Sequence, residues 1–365
     1  MTAIAIAAGG GGDAITAAAL AAARPDMQIA AIMTWSWDRL MVDPTPGPRA
    51  VADFSGLADL GGVWEVRADA RLRGDGRSTL PRLARHVRLP ILLADATAGV
   101  VGLAAHMRCA TTAFGAGRLV VVDVGGDILA TGDEAGLRSP LADSVALAAA
   151  VRTGLPVQVL VTGIGLDGEL TSAEAADRLA TLEAKPFGRL VASDFAALQE
   201  VWMWHPSEAN GLLAAAAAGF RGRVGTQRGV IVEVGDASVD VHDVPADALA
   251  KSTLARAVAD TATFDEIERV LRKRRGYSDV DIERQRLTNR PPTRTPTVET
   301  VAMIDGYVAD ADRRGLDALT LRRVSELVGA TDTRSAEALR EILRQHRPRN
   351  FRPPLYECRL PRPSA

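Results

Sequence analysis

Residues 118–144, RLVVVDVGGDILATGDEAGLRSPLADS, decide the fold class. Leu119, Val120, Val121 and Val122 form an apolar, mostly β-branched run of the kind that fills a buried parallel strand. Where that strand ends, the chain passes through Asp123, Gly125, Gly126 and Asp127, and after a Gly-rich connection it presents Arg138, Ser139 and Pro140. A helix is predicted from about Leu141, with Asp143 and Ser144 in its first turn. Ligands of open α/β sheets bind beyond the carboxyl ends of the strands. Close glycines, several carboxylates and a guanidinium at this corner therefore place a site here.

Two other corners repeat the pattern. Residues 2–8 (TAIAIAA) read as a strand, Gly9, Gly10, Gly11 and Gly12 as a turn, and 13–23 as a helix opened by Asp13. That order aims backbone N–H groups and a helix N-terminus at an anion. Ile15 stands where a dinucleotide fingerprint needs its third glycine, and the Lys-Ser/Thr pair of a P-loop is missing. Tight strand-to-helix packing would explain the same glycines. Residues 156–163 form a further strand leading into GIGLDGELT, which carries Gly163, Gly165, Asp167, Gly168 and Glu169, and 172–182 read as helix. Packing asks for glycine but not for an accompanying acid. Carboxylates at several strand ends suit a hydroxyl-rich ligand or a hard cation such as Mg²⁺.

Further strands are predicted at 28–33, 63–66, 90–95 and 189–193, with a hairpin over 229–244 and helices over 97–114 and 210–218, the latter with Ser207 as its N-cap. From 246 onward the pattern turns helical, 279–298 includes the linker-like NRPPTRTPT, and 298–346 reads as three short helices before a basic, Pro-rich tail. The expected division is an α/β ligand-binding domain at 1–245, a helical segment packed on it at 246–290, a small helical module at 298–346 and the tail at 347–365. Trp35 and Trp37 could stack on a base or cap the core, and His106 reads as a packing residue. His205 is the best placed of the histidines for acid/base work, but spacing names no partner for it. Residues 321–343 have the length of a helix-turn-helix, yet their arginines are interleaved with acids.

At 365 residues the chain is long enough for one large or two smaller α/β domains, and its net charge of −2 gives no general pull toward nucleic acid or anionic membrane. Cys109 and Cys358 match no metal or redox spacing, so a reducing cytoplasm is expected. The apolar N-terminus lacks a basic n-region and is interrupted by glycines and Asp13, which argues against a signal peptide, and no apolar stretch is long enough to span a membrane.

The chain resembles a family of uncharacterised archaeal and bacterial proteins defined as a domain of unknown function. The residues that carry the resemblance are IAAGGGGDAITAAALA, VVDVGGDILATGDEAGLRSPLADSVALAA, GIGLDGEL and PSEANGLLAAAAAGFRG, and it spans roughly residues 1–290. The resemblance implies a Rossmann-like α/β fold and brings no activity with it. The fold class expected is thus a Rossmann-like three-layer sandwich with a mostly parallel sheet and a C-terminal helical extension.

The function expected is an enzyme acting on a nucleotide, nucleoside or phosphorylated sugar. Asp123, Asp127 and Asp167 are the catalytic candidates. Gly9, Gly10, Gly11, Gly12, Asp13, Gly125, Gly126, Arg138, Ser139, Asp143, Gly165 and Glu169 are the binding candidates. In this picture the first glycines hold phosphate, Asp13 and the catalytic candidates bind hydroxyls or Mg²⁺, and Arg138 neutralises an oxyanion. Cleavage or transfer at an N-glycosidic bond ranks above Mg²⁺-dependent phosphoryl transfer, because the first 184 residues contain no lysine. The alternative from another class is a non-catalytic nucleotide-sensing regulator with a helical output module. Nucleic acid and membrane are not expected partners, and homo-oligomerisation is left open.

Overall fold

The computed structural model describes residues 1–358. Its centre is a nine-stranded sheet whose parallel strands are β1 (Ala3–Ala7), β2 (Ile29–Trp35), β3 (Ile91–Ala94), β4 (Arg118–Val124) and β5 (Val157–Thr162), laid side by side in the order β3-β2-β1-β4-β5. Antiparallel strands finish both edges. Beyond β5 lie Asp240–Val244 and then β6 (Lys185–Arg189), and beyond β3 lie the short pieces Trp64–Glu65 and Ala58–Asp59.

Period-2 alternation divides the strands between two cores. Ile4, Ile6, Leu119, Val121, Val159 and Val161 face one cluster, and Ala3, Ala5, Ala7, Val120, Val122 and Leu160 face the other. The helices α1 (Asp13–Ala23), α2 (Gly99–Ala113), α3 (Leu141–Arg152) and α4 (Glu208–Ala217) contribute to these cores, α2 and α3 to the first and α1 and α4 to the second. The alanines of β1 leave room for α1 to sit close to the sheet. Helix α3 is buried without a break from Leu141 to Ala150, as its Ala-rich, all-round apolar sequence requires.

A second, five-stranded sheet joins the C-terminal part to this body. The strands β7 (Gly222–Gly225), β8 (Ile231–Val234), β9 (Ala318–Thr320) and β10 (Leu355–Glu357) run in the order β8-β7-β9-β10, with Phe351–Arg352 at the edge. Strand β9 comes from the 298–346 segment and pairs in parallel with β7, so that segment shares a sheet with the rest of the protein. Val224, Val232 and Leu355 close the second core, while Leu319, Phe351 and Tyr356 face a third cluster under the C-terminal helices.

Several expectations change here. The hairpin predicted over 229–244 does not form: β8 pairs with β7 in the second sheet, whereas Asp240–Val244 pairs with β5 in the first, with a 3₁₀ turn between them. The strand expected at 189–193 lies earlier, at β6, because its partner Asp240–Val244 is reached at Lys185 to Arg189. Within the segment expected to be helical, 246–290, α5 (Asp279–Thr288) precedes the linker-like NRPPTRTPT, and Ser278 caps its start through its hydroxyl. The three C-terminal helices are present as α6 (Thr300–Arg313), α7 (Leu321–Leu327) and α8 (Thr333–His346). The end of the tail, 359–365, lies outside the described residues. Among the described residues no helix is long and apolar enough to cross a membrane.

Candidate functional site

The strand order reverses direction between β1 and β4, and in such sheets the crevice beyond the carboxyl ends at that point receives ligands. Register brings the three Gly/Asp corners together there. Ala7 pairs with Val122, and Ala8 donates its N–H to Val122 O at 2.9 Å, which sets the first corner beside the second. Gly125 N–H donates to Thr162 O at 3.1 Å and Gly165 N–H to Gly125 O at 2.8 Å, which stitches the second to the third. Gly125 and Gly126 have φ of 126° and 98°, so the turn after Asp123 needs glycine.

The corners open on a cavity of about 140 Å³. Gly9, Gly10, Gly11, Gly12, Asp13, Asp127, Arg138, Ser139, Asp143, Asp167 and Glu169 line it, as the sequence pattern led us to expect. Asp123 is fully buried and does not reach the wall. Gly125, Gly126 and Gly165 shape the corners without lining the cavity.

Hydrogen bonding separates these residues by role. Glu169 is spent on the loop: it accepts from the backbone N–H of Arg138 (2.6 Å) and Ser139 (2.9 Å) and from the Ser139 hydroxyl (2.5 Å). Asp13 folds back to accept the Gly9 N–H at 3.0 Å and the Asn210 amide at 3.0 Å, and Asn210 accepts the Thr16 hydroxyl at 2.6 Å. The Gly9 amide therefore meets a carboxylate of the protein itself, which departs from the expected phosphate cradle. A Cβ on Gly12 would lie 2.5 Å from Ser207 Oγ, so this glycine also serves packing. Ser207 Oγ accepts from the Asn210 side chain at 3.1 Å rather than capping the backbone of α4.

The acids crowd. Asp13, Asp123 and Asp143 each offer an oxygen within 4.8 Å of the other two. At an effective dielectric near 20, like charges at that spacing repel by about 3.5 kcal/mol per pair, so the cluster resists carrying full charge. Burial, opposed by hydrogen bonds from Asn210 and Gly9, pushes Asp13 up to about 6. Asp123, Asp127 and Asp143 stand well above the carboxylate range, through burial first and then neighbouring acids. Asp167 is pushed up to about 8 by burial and then Glu169. Among the described residues one oxygen on each of Asp123, Asp143 and Asp167 meets no N–H or hydroxyl donor.

The same cavity is lined by a set of arginines that sequence spacing did not reveal. Arg39, Arg228, Arg286 and Arg322 join Arg138 around the cavity, from four widely separated stretches. Arg286 is held below the ordinary guanidinium range by burial and then by Arg39, and Arg322 is lowered to about 9 by burial, Arg39 and Arg228 against the pull of Glu208. Arg322 has only a long ion pair, 3.7 Å to Glu208, whose other oxygen already accepts from Thr320 and Gln227. Arg228 keeps a left-handed φ of 63° in this lining. Trp37 donates its indole N–H to Glu283, and both line the cavity, while Trp35 is core and donates to Ala8 O at 2.8 Å. His205 also lines the cavity. Its Nδ1 accepts the Ser207 N–H at 3.2 Å, burial holds the ring down at about 3, and Nε2 is therefore a neutral donor with no partner among the described residues. His106 stacks edge-on against Trp64, away from the site.

Four of the stretches that contribute to this cavity, from the first glycine turn to the 206–222 segment, carry the family resemblance. The chain belongs to the DUF1152 family. The match, to a family described as "Protein of unknown function (DUF1152)", covers residues 4–287. No curated protein and no solved structure matches the chain. In this DUF1152 protein the acidic corners and Arg286 lie inside the matched span, whereas Arg322, on α7, lies beyond it.

Proposed function

We propose that the cavity binds a phosphorylated, hydroxyl-bearing small molecule, a nucleotide or a sugar phosphate, and that the protein is an enzyme acting on it. The observation that carries this reading is a cavity lined by both signs of charge: carboxylates such as Asp13, Asp127, Asp143 and Asp167 together with Arg39, Arg138, Arg228, Arg286 and Arg322. Guanidinium groups suit phosphate oxygens, and carboxylates suit ribose or sugar hydroxyls. The strand order and the helices packed on both faces support a Rossmann-like three-layer frame, in which a nucleotide would lie across the β1/β4 crevice. The cytoplasmic setting expected from cysteine usage belongs to the same proposal.

For cleavage or transfer at an N-glycosidic bond, Asp167 would be the proton donor, since an acid pushed up to about 8 keeps its proton at neutral pH. Asp127 would face the developing positive charge on the sugar. The five arginines favour a second reading, phosphoryl transfer, because they supply the positive charge that a lysine-free N-terminal half seemed to lack. A thermal-shift screen against nucleotides, nucleosides and sugar phosphates tests the ligand class. A true ligand at 100 times its Kd should add about 2.7 kcal/mol of stability. Product analysis with the best ligand then separates base release from phosphate release. Failure of every compound in all three classes to shift the melting temperature would remove the proposal.

A further inference from the structure

We propose that Asp13, Asp123 and Asp143 form a divalent-cation site at the edge of the cavity, with Asp13 and Asp143 in its lining and Asp123 buried outside it. This deepens the reading of the cavity as a phosphate-ligand site, because a cation at these acids would share the cavity with the phosphate held by the arginines.

The three side chains come from three elements that the sheet forces together. Asp13 is the first residue of α1, Asp123 is the last but one residue of strand β4, and Asp143 is in the first turn of α3. An octahedral Mg²⁺ with oxygens at about 2.1 Å puts neighbouring ligand atoms about 3.0 Å apart and opposite ones about 4.2 Å apart. Oxygens already within 4.8 Å of one another reach that geometry with small side-chain rotations.

A cluster of acids can exist without an ion, so the decisive feature is what the oxygens lack. Asp123 and Asp143 are 0 % and 1 % exposed, and among the described residues one oxygen of each meets no N–H or hydroxyl donor and has only neighbouring carboxyl groups beside it. Asp123 uses its other oxygen on the Gly126 N–H at 3.0 Å, and Asp13 is oriented by Gly9 and Asn210, so two of the three side chains are held in place. None of the three is in an ion pair among the described residues, and the five arginines line the same cavity without reaching them. A buried carboxylate oxygen that no donor reaches is expensive, and coordination to a hard cation removes that cost. Asp127 and Asp167, which sequence reasoning grouped with Asp13 and Asp123 as hydroxyl or metal ligands, fall outside the three-way cluster, and Asp143 takes their place.

Full-length protein stripped with EDTA and titrated with MnCl₂, with free Mn²⁺ followed by EPR, tests this directly. One saturable site per chain is expected, displaced by Mg²⁺. D123N and D143N, shown folded by near-UV circular dichroism, should weaken Mn²⁺ binding by about 100-fold or more. D133N, on the exposed loop beside the site, should bind as the wild type does. Absence of a saturable site in the wild-type protein overturns the proposal whatever the variants do. Wild-type Mn²⁺ affinity in folded D123N and D143N overturns it as well. Calorimetric titration of pyrophosphate in EDTA separates the two readings: pyrophosphate binding without a Mn²⁺ site discards the cation and keeps the anion site, and loss of both discards both.

Discussion

Asp279 Oδ2 accepts the backbone N–H of Leu141 at 3.1 Å, so the first residue of α5 caps the first residue of α3 across 138 positions of sequence. Helix α3 has no side-chain cap of its own, since Pro140 precedes it. The cap ties α5, which brings Glu283 and Arg286 to the cavity, to the helix that brings Asp143. D279A should cost about 1 kcal/mol, the usual worth of a helix cap, whereas D279N keeps an acceptor and should cost less. Chemical denaturation of the two variants beside the wild type checks the order. Equal losses would show that the carboxyl contributes through something other than the cap.

The same residue sets a pH dependence. Burial raises Asp279 to about 8, and Asp167 also stands at about 8. An acid whose folded-state value lies above its unfolded value near 4 adds stability that is complete below about 4 and is lost as pH rises through the folded value. His205 works in the opposite sense, being lowered to about 3, but its contribution is already complete above about 6.5. Between about pH 6.5 and 8.5 only the raised acids change, so the ion-free protein should melt at progressively lower temperature. Differential scanning calorimetry in EDTA measures this, and the double variant D167N/D279N should flatten the slope. A melting temperature that rises across that window contradicts the assignment.

How much of this was legible in the sequence differs between the corners and the arginines. Strands such as β4 and β5 are largely β-branched runs, and the glycines after them mark where the chain turns, so the corners and their acids could be read directly. The set of arginines could not: Arg39, Arg228, Arg286 and Arg322 sit in segments with no shared period, and only tertiary packing brings them to one cavity. The false hairpin has a similar cause. Strand β8 and Asp240–Val244 both read as short strands, and a strand pattern cannot say that they enter different sheets. Asp143 was visible as a first-turn acid, but its closeness to Asp123 depends on α3 packing against β4.

Gly125 offers a test of how tightly the second and third corners are matched. Its φ of 126° already penalises any side chain, and a Cβ there would overlap the Asp167 carboxylate. Gly61 has φ of 86° with nothing within 4 Å of a built Cβ, so G61A measures the backbone penalty alone, about 1–2 kcal/mol. G125A should cost clearly more than G61A and should also weaken ligand-induced thermal stabilisation, because Asp167 must move. If the two variants lose the same stability and G125A keeps full ligand response, Asp167 is not held against that turn.

The α7–α8 pair has helix-turn-helix dimensions, and its arginines decide what it does. Arg322 has a side chain only 10 % exposed and faces the cavity, and Arg340 is 5 % exposed and buried near His205. Other arginines of the pair are engaged with acids on the same helices, Arg323 with Glu326 and Arg344 with Glu341. A recognition helix needs several guanidinium groups free to reach phosphates and base edges, and here Arg322 and Arg340 are buried, Arg323 and Arg344 are paired, and Arg334 is left exposed at the start of α8. Retention on duplex DNA should therefore be negligible even at about 50 mM salt, where electrostatic binding is strongest. R322M, by contrast, should leave the fold intact and weaken a phosphorylated ligand about 10-fold or more, as expected on removing one charged partner of a phosphate. Salt-dependent DNA retention that R322M leaves unchanged, together with unaltered binding of the phosphorylated ligand, would return this module to the regulator reading and take Arg322 out of the site.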